Sequence, residues 1–359
     1  MKTLEFRNGD SLPMLGLGTW KSAPGEVGAA VTEALRLGYR HLDCAFIYGN
    51  EAEIGQALSQ AFDAGAVTRD QLWVTSKLWN DAHAPEDVRP ALEKALADLE
   101  LDALDLYLVH WPVVLRKGVF GPEKASDLLP LSEVPLAATW QAMEELVDAG
   151  LTRHIGVSNF GPRNLEELLT GARIPPEMNQ VELHPYLQQD ELIALCRQHG
   201  VHVTAYSPLG SLDRPASMKG QGDPVLLEDP TVTAIAVRHQ ATPAQVLIAW
   251  ALQRGTAVIP KSVRPERLRE NLAAAELELT PEDMGELAAL DRGRRYLGGS
   301  FWAIPGSPYT LDDVWRGARA PQRGASLERS SSIQPRTTAT FSSRAGPVRT
   351  KRWPSGCTS

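Results

Sequence analysis

The sequence predicts an α/β protein built as a (β/α)8 barrel, and three observations predict it. A short apolar run followed by a helical stripe recurs about eight times, at roughly 30–40 residues per repeat, the length of a βα unit. The chain has 359 residues, enough for one large barrel. Chemically matched polar side chains stand where successive runs stop, which is where a barrel keeps its active site. A doubly wound sheet is the alternative for the same alternation.

Ahead of the barrel, Leu4-Glu5-Phe6 and Leu12-Pro13-Met14 flank Asn8-Gly9-Asp10, a turn signal that predicts an N-terminal β-hairpin. The eight strands are expected at Leu15–Leu17, Tyr39–Leu42, Leu72–Thr75, Leu104–Val109, Ile155–Val157, Met178–Val181, His202–Ala205 and Ala257–Ile259. Between them run amphipathic stripes. Val27, Val31, Ala34 and Leu35 share a face before a capping Gly38. Val88, Leu92, Ala95, Leu96 and Leu99 follow Pro85, which suits a first helical position. Further stripes are Trp140/Met143/Leu146/Val147, Leu165/Leu168/Leu169, Leu192/Leu195/Cys196, Ala244/Leu247/Ile248/Ala249 and Leu268/Leu272.

Composition narrows the function. The start of the chain carries no apolar leader, and no apolar run reaches the roughly 20 residues that span a bilayer, so no membrane role is expected. Three scattered cysteines without a CxxC exclude a disulfide scaffold and fit a reducing cytoplasm. A net charge of −8 argues against nucleic acid as a partner. The charge is uneven: residues 317–359 carry eight bases and one acid, leaving −15 on the remainder. This Ser/Thr/Gly/Pro-rich tail has no helical or strand period, and a disordered, non-native extension is expected after a barrel of residues 1–316.

At the strand ends, Asp43 closes the second strand and Tyr48 follows on its loop. Lys77 closes the third strand and His110 the fourth. An ammonium beside a phenol lowers the phenol's pKa, and a carboxylate lets a buried amine keep its charge. An imidazole can donate a hydrogen bond to the same substrate oxygen. The four groups suit protonation of an oxyanion forming on a carbonyl, but they include no reductant, so a cofactor is implied. Alone, Asp43–Lys77 reads as a structural pair and His110 as a rim histidine; their coincidence on consecutive strands favours chemistry. Beyond the eighth strand, Lys261, Arg264 and Arg267 fall at about the first two turns of a helix. Cations there oppose the helix dipole unless an anion is present, so a phosphate is expected, across the barrel top from Tyr48. Gly16-Leu17-Gly18-Thr19 lacks the third glycine and the helix of a dinucleotide fingerprint.

The stretches GYRHLDCAFIYGNEAEIG, LYLVHWP, GVSNF and IPKSVRPERLREN together resemble the aldo-keto reductase family, over residues 3–315 and closest to its aldehyde and aldose reductases. The resemblance implies NADPH-dependent reduction of aldehydes and some ketones to alcohols, without metal, by a monomeric cytoplasmic enzyme acting on a small-molecule carbonyl substrate. It makes Tyr48 the general acid, Asp43 and Lys77 its tuners, and His110 the group that orients the carbonyl. Tyr206 matches the aromatic that stacks on nicotinamide; Ser158, Asn159 and Gln180 match the residues that hold its carboxamide. Gly18, Thr19 and Trp20 are implied to border the cofactor. Ser207, Pro208, Leu209 and Ser211 match the pyrophosphate loop, which Lys21 and Asp213 close. Pro260, Lys261, Ser262, Val263, Arg264, Arg267, Glu270 and Asn271 match the adenosine 2'-phosphate and adenine site. Trp20, Ile47, Trp79, His110, Trp111, Phe120 and Trp302 are implied to line the substrate pocket. Two departures bear on specificity: Ala216 stands where related aldose reductases carry tryptophan, and Gly298–Trp302 differs from the mammalian C-terminal loop.

Two other readings use the same residues. One is a cofactor-retaining regulatory protein like the potassium-channel β subunits. The other is a barrel glycosidase with Asp43 and Glu182 as its carboxylate pair, which Lys77 and the phosphate-like site disfavour.

Overall fold

The computed structural model describes residues 2–220 and 222–317. Of the predicted basic tail, everything from residue 318 onward lies outside the described residues.

Two antiparallel strands, β1 (Thr3–Glu5) and β2 (Ser11–Pro13), form the expected hairpin, in register Leu4 to Leu12. Eight parallel strands follow: β3 (Leu17–Gly18), β4 (His41–Asp43), β5 (Trp73–Leu78), β6 (Leu104–Val109), β9 (Thr152–Ser158), β10 (Met178–Glu182), β11 (His202–Tyr206) and β12 (Ala257–Val258), hydrogen-bonded in that order. The intervening β7 (Val114–Leu115) and β8 (Leu128–Leu129) pair with each other in the loop after β6. The two ends of the curled sheet meet. Leu15 bridges Val258 and Gly18 bridges Lys261 in parallel, and Gly16 N donates to Val258 O at 2.9 Å. Gly18 allows this approach, since a Cβ there would meet Ile259 O at 2.6 Å. The arrangement is consistent with the predicted (β/α)8 barrel. It also corrects one expectation. The residues after β12 stand beside β3 and only two strands from Asp43, not across the mouth from Tyr48.

Seven of the described α-helices follow the predicted stripes. In chain order the described α-helices are α1 (Val27–Leu37), α2 (Glu51–Asp63), α3 (Pro85–Leu99), α4 (Leu136–Asp148), α5 (Pro162–Gly171) and α6 (Asp190–Gln198), then α7 (Pro230–Arg238), α8 (Pro243–Gln253), α9 (Pro265–Ala273), α10 (Pro281–Ala288) and the short α11 (Leu311–Val314). Gly38 caps α1 in the left-handed region at φ 106°, and Pro85 opens α3 at its first turn. No stripe predicted α2, α7, α10 or α11. The signal for α7 is the Asp229-Pro230 start, where Asp229 Oδ1 accepts from Thr231 N at 2.8 Å. No described helix is long and apolar enough to cross a membrane.

One large apolar cluster fills the space between strands and helices. A second, smaller one sits over the strand ends and joins Trp79, Trp111, Val113 and Leu128 to Trp302, Tyr309 and Val314. It holds the C-terminal segment in place, with help from the Tyr309 hydroxyl, which donates to Leu129 O at 2.6 Å. At the opposite end, the hairpin is pinned by His154, whose ring contacts Glu177 at 2.6 Å and Asp10 at 3.1 Å.

Candidate active site

Strand alternation points Lys77 into the barrel, where its side chain is fully enclosed. Its ammonium donates to Asp43 Oδ2 at 2.7 Å, Cys44 O at 2.8 Å and the Tyr48 hydroxyl at 3.2 Å. All three hydrogens of the amine are therefore used. Asp43 is 2% exposed, and its second oxygen accepts from Gln180 Nε2 at 2.7 Å. Tyr48 ends a single 3-10 turn, Phe46–Tyr48, that Gly49 closes at φ 67°. The turn lifts the phenol over the barrel mouth. The His110 ring meets the Tyr48 ring edge-on at 6.1 Å and that of Trp79 at 5.0 Å. The four predicted catalytic residues thus converge.

Their electrostatics correct one expectation. Burial works against the charge on Lys77, but Asp43 and the Tyr48 phenol outweigh it and hold the ammonium up at about 12. The phenol is not lowered. Burial pushes Tyr48 up to about 12, and Lys77 offsets only part of that rise because Asp43 acts in the opposite sense. In this state Tyr48 is a firmly protonated donor. Burial, with Lys77 and His83 nearby, keeps His110 well below the usual imidazole range, so it is neutral at pH 7. Its Nδ1 is buried without a hydrogen-bond partner among the described residues.

The predicted nicotinamide residues form a network beside this centre. Ser158 donates to Gln180 O at 2.8 Å, Asn159 Nδ2 donates to His110 O at 2.9 Å, and the Tyr206 hydroxyl donates to Asn159 Oδ1 at 2.7 Å. Thr19 ties β3 to Asp43 through its hydroxyl, which donates to Asp43 O at 2.8 Å. Lys21 lies 4.1 Å over the Trp20 ring and forms an ion pair with Asp213 at 3.0 Å. Of the seven described non-glycine residues at positive φ, four are predicted cofactor residues: Lys21, Asn159, Ser207 and Ser211. Backbone held in that region is costly and concentrates at sites where geometry matters.

The cations after β12 are arranged differently from the prediction. The helix α9 starts at Pro265, so Arg264 is its N-cap and Arg267 lies in its first turn, while Lys261 precedes it on the barrel-closing bridge. Ser262 Oγ accepts from Arg264 N at 3.1 Å. Lys21 faces Lys261: burial pulls the Lys21 ammonium down, Asp213 opposes that, and Lys261 and Arg214 add like charge. Cations gathered around a helix start without a full set of acids fit a phosphate. Pro260, Ser262 and Asn271 are buried and Val263 half-buried, while the Glu270 carboxylate accepts from the Thr242 hydroxyl at 2.5 Å. Pro208 is buried and Leu209 half-buried.

The predicted pocket residues occupy different depths. Trp20 and Ile47 are half-buried at the mouth, and Trp79 and Trp111 are nearly enclosed. Phe120 is 55% exposed on the rim, its ring 6.0 Å from that of Phe46. Trp302 is 1% exposed and packs behind Trp79 and Trp111, whereas half-buried Phe301 meets Trp111 edge-on at 5.6 Å. Glu182, the carboxylate of the glycosidase alternative, is fully enclosed. It accepts from Tyr296 N at 2.7 Å and Leu297 N at 2.8 Å, and it contacts His184 at 2.9 Å. It anchors the C-terminal segment and has no path to a sugar.

Several contributors escape sequence reasoning. The Cys44 carbonyl that receives Lys77 is a backbone group. Asn50 donates to Thr19 O at 3.0 Å, and Glu51 accepts from Ser76 at 2.5 Å; only the helix start after Gly49 signals that these residues face inward.

A model of the Aldo/keto reductase family matches residues 14–292. The chain is 58% identical over 315 residues to an aldo/keto reductase of Synechocystis sp., covering 88% of this chain and 96% of that protein. It is 49% identical over 294 residues to aldo-keto reductase family 1 member A1 of Homo sapiens, covering 81% and 90%. Among solved structures, the aldose reductase from Schistosoma japonicum superposes with a TM-score of 0.77 at 43% identity, covering 84% of this chain and 96% of that one.

Proposed function

The chain belongs to the aldo/keto reductase family of oxidoreductases, and from that premise we propose that it is an NADPH-dependent reductase of aldehydes and some ketones, with Tyr48 as proton donor. The observation that carries this reading is the Asp43–Lys77–Tyr48 chain with neutral His110 beside it. When bound, the cofactor supplies a hydride. His110 holds the carbonyl oxygen by donating a hydrogen bond, and Tyr48 delivers its proton to that oxygen as negative charge develops. Lys77 remains charged and stabilises the phenolate left behind; Asp43 keeps Lys77 in place. Tyr206, Ser158, Asn159 and Gln180 would hold the nicotinamide end. Lys21 and Asp213 would close the strap, and Lys261, Ser262, Arg264 and Arg267 would take the 2'-phosphate. The apolar walls of Trp20, Trp79 and Trp111 favour aromatic or long aliphatic aldehydes. We take the enzyme to be monomeric and cytoplasmic, the second because its scattered cysteines fit a reducing compartment.

The reading is tested by following NADPH oxidation with 4-nitrobenzaldehyde. Steady turnover is expected; cofactor binding without turnover would favour the regulatory alternative. The phosphate assignment has its own test. Arg267→Ala is expected to weaken NADPH by about 1.5–3 kcal/mol, the value of a charged hydrogen bond, while leaving NADH affinity nearly unchanged. Titration of both cofactors by protein fluorescence checks it, and equal losses would dismiss the assignment.

A further inference from the structure

Glu51 is a buried carboxyl that the proposed mechanism does not use. It is the first residue of α2, three positions after Tyr48, and it is 3% exposed. Its Oε1 accepts from the Ser76 hydroxyl at 2.5 Å, and its Oε2 is buried with no hydrogen-bond partner among the described residues. Ser76 immediately precedes Lys77 on β5, and alternation turns the two side chains to opposite faces. One strand therefore presents Lys77 to the phenol on its inner face and Ser76 to Glu51 on its outer face.

The segment between Cys44 and Glu51 carries Tyr48 and is fixed to β5 at both ends. At its start, Cys44 N donates to Thr75 O at 2.8 Å and Cys44 O accepts from Lys77. At its end the tie is Glu51–Ser76. Behind that tie α2 is pressed onto α3, where a Cβ on Gly55 would meet Asp98 O at 2.2 Å. We propose that Glu51 is a positioning residue: through Ser76 it locks the loop bearing Tyr48 to the strand bearing Lys77, and so sets the phenol–ammonium geometry. This rests on Tyr48 being the proton donor.

The chemistry of the site favours position over stability. A buried carboxyl with one oxygen unpaired is a costly way to join a helix to a strand. Burial pushes Glu51 up to about 7, against the Ser76 hydrogen bond. The groups that act on it electrostatically are Asp98 and Lys94 from α3, Lys77 through β5, Cys44 from the loop and Tyr107 from β6, beside its hydrogen bond to Ser76. The link to Ser76 survives either protonation state, since the serine hydroxyl donates to the carboxylate or accepts from the acid.

The test compares Ser76→Ala, Glu51→Ala and Glu51→Gln in the full chain. The readouts are kcat at saturating NADPH and 4-nitrobenzaldehyde, the alkaline limb of the kcat–pH profile, the NADPH Kd and thermal unfolding. Both alanine variants are expected to lose about tenfold in kcat and to shift the alkaline limb, with NADPH Kd unchanged, as for a modest misplacement of a catalytic group. Glu51→Gln still accepts from Ser76 and is expected to restore both. A Ser76→Ala enzyme with normal kcat and normal limb, whatever its thermal stability, overturns the proposal; so does a Glu51→Gln enzyme as slow as Glu51→Ala. If Glu51→Ala fails to fold, Ser76→Ala decides alone. Tyr48→Phe is run in parallel: if it stays active, the proton-donor reading itself fails, whereas an inactive Tyr48→Phe beside a normal Ser76→Ala removes only Glu51 from its role.

Discussion

Tyr48→Phe is expected to lower carbonyl reduction by on the order of 10²- to 10⁴-fold, the range a positioned general acid contributes. NADPH affinity should hardly change, because the phenol hydroxyl's partner in the site is Lys77 Nζ at 3.2 Å and its ring remains. The expectation follows from sign as well as geometry. A general acid works while it keeps its proton, and burial has pushed Tyr48 up to about 12. Reduction should therefore persist through neutral and mildly alkaline pH and fall only as the phenol ionises. Lys77 then has a definite task. It does not bring the resting phenol below its ordinary pKa, but on the proposed mechanism it stands 3.2 Å away to stabilise the phenolate once the proton has left. Stopped-flow reduction with fluorescence titration of NADPH separates the two effects. Loss of cofactor affinity in proportion to rate would assign Tyr48 a binding role instead.

The second large effect concerns Asp43. Removing one member of a buried ion pair leaves the other charge uncompensated, at a cost of about 3–5 kcal/mol. Asp43→Ala strands the Lys77 ammonium, fully enclosed, and leaves Gln180 Nε2 without its acceptor. Urea unfolding of Asp43→Ala should show that loss, and activity should fall with it. In the double variant Asp43→Ala/Lys77→Met no charge is left buried. It should recover much of the stability and none of the activity. That non-additivity is the diagnostic outcome. Equal destabilisation by the single and double variants would show that the pair contributes through packing and not through its charges.

The barrel was legible because its elements are selected by burial. A strand enclosed between helices and the barrel interior reads as an apolar run, and a helix packed on that sheet reads as a stripe, as Val88–Leu99 on α3 does. Gly38 and Pro85 marked helix ends through backbone constraints that only those residues meet so well. Three of the four proposed catalytic residues were legible for a related reason: Asp43, Lys77 and His110 interrupt apolar runs at their ends. Features built from the backbone or from tertiary balance were not. The Lys77–Cys44 carbonyl bond has no side-chain signature. The pKa of Tyr48 depends on whether burial or Lys77 wins, which spacing cannot decide. The start of α9 moved because Arg264 caps it through its backbone and Pro265 sets its first turn, leaving Lys261 on the barrel seam. Glu182 looked available from sequence, and only the return of Tyr296 and Leu297 over the strand end showed it occupied.

The most direct measurement of the central claim is NADPH oxidation with 4-nitrobenzaldehyde by the unaltered protein and by Tyr48→Phe, side by side at saturating cofactor. Steady oxidation by the first, with the alcohol formed mole for mole, and none above background by the second is the predicted result. Equal rates from both, or no oxidation by a protein that binds NADPH, would contradict it.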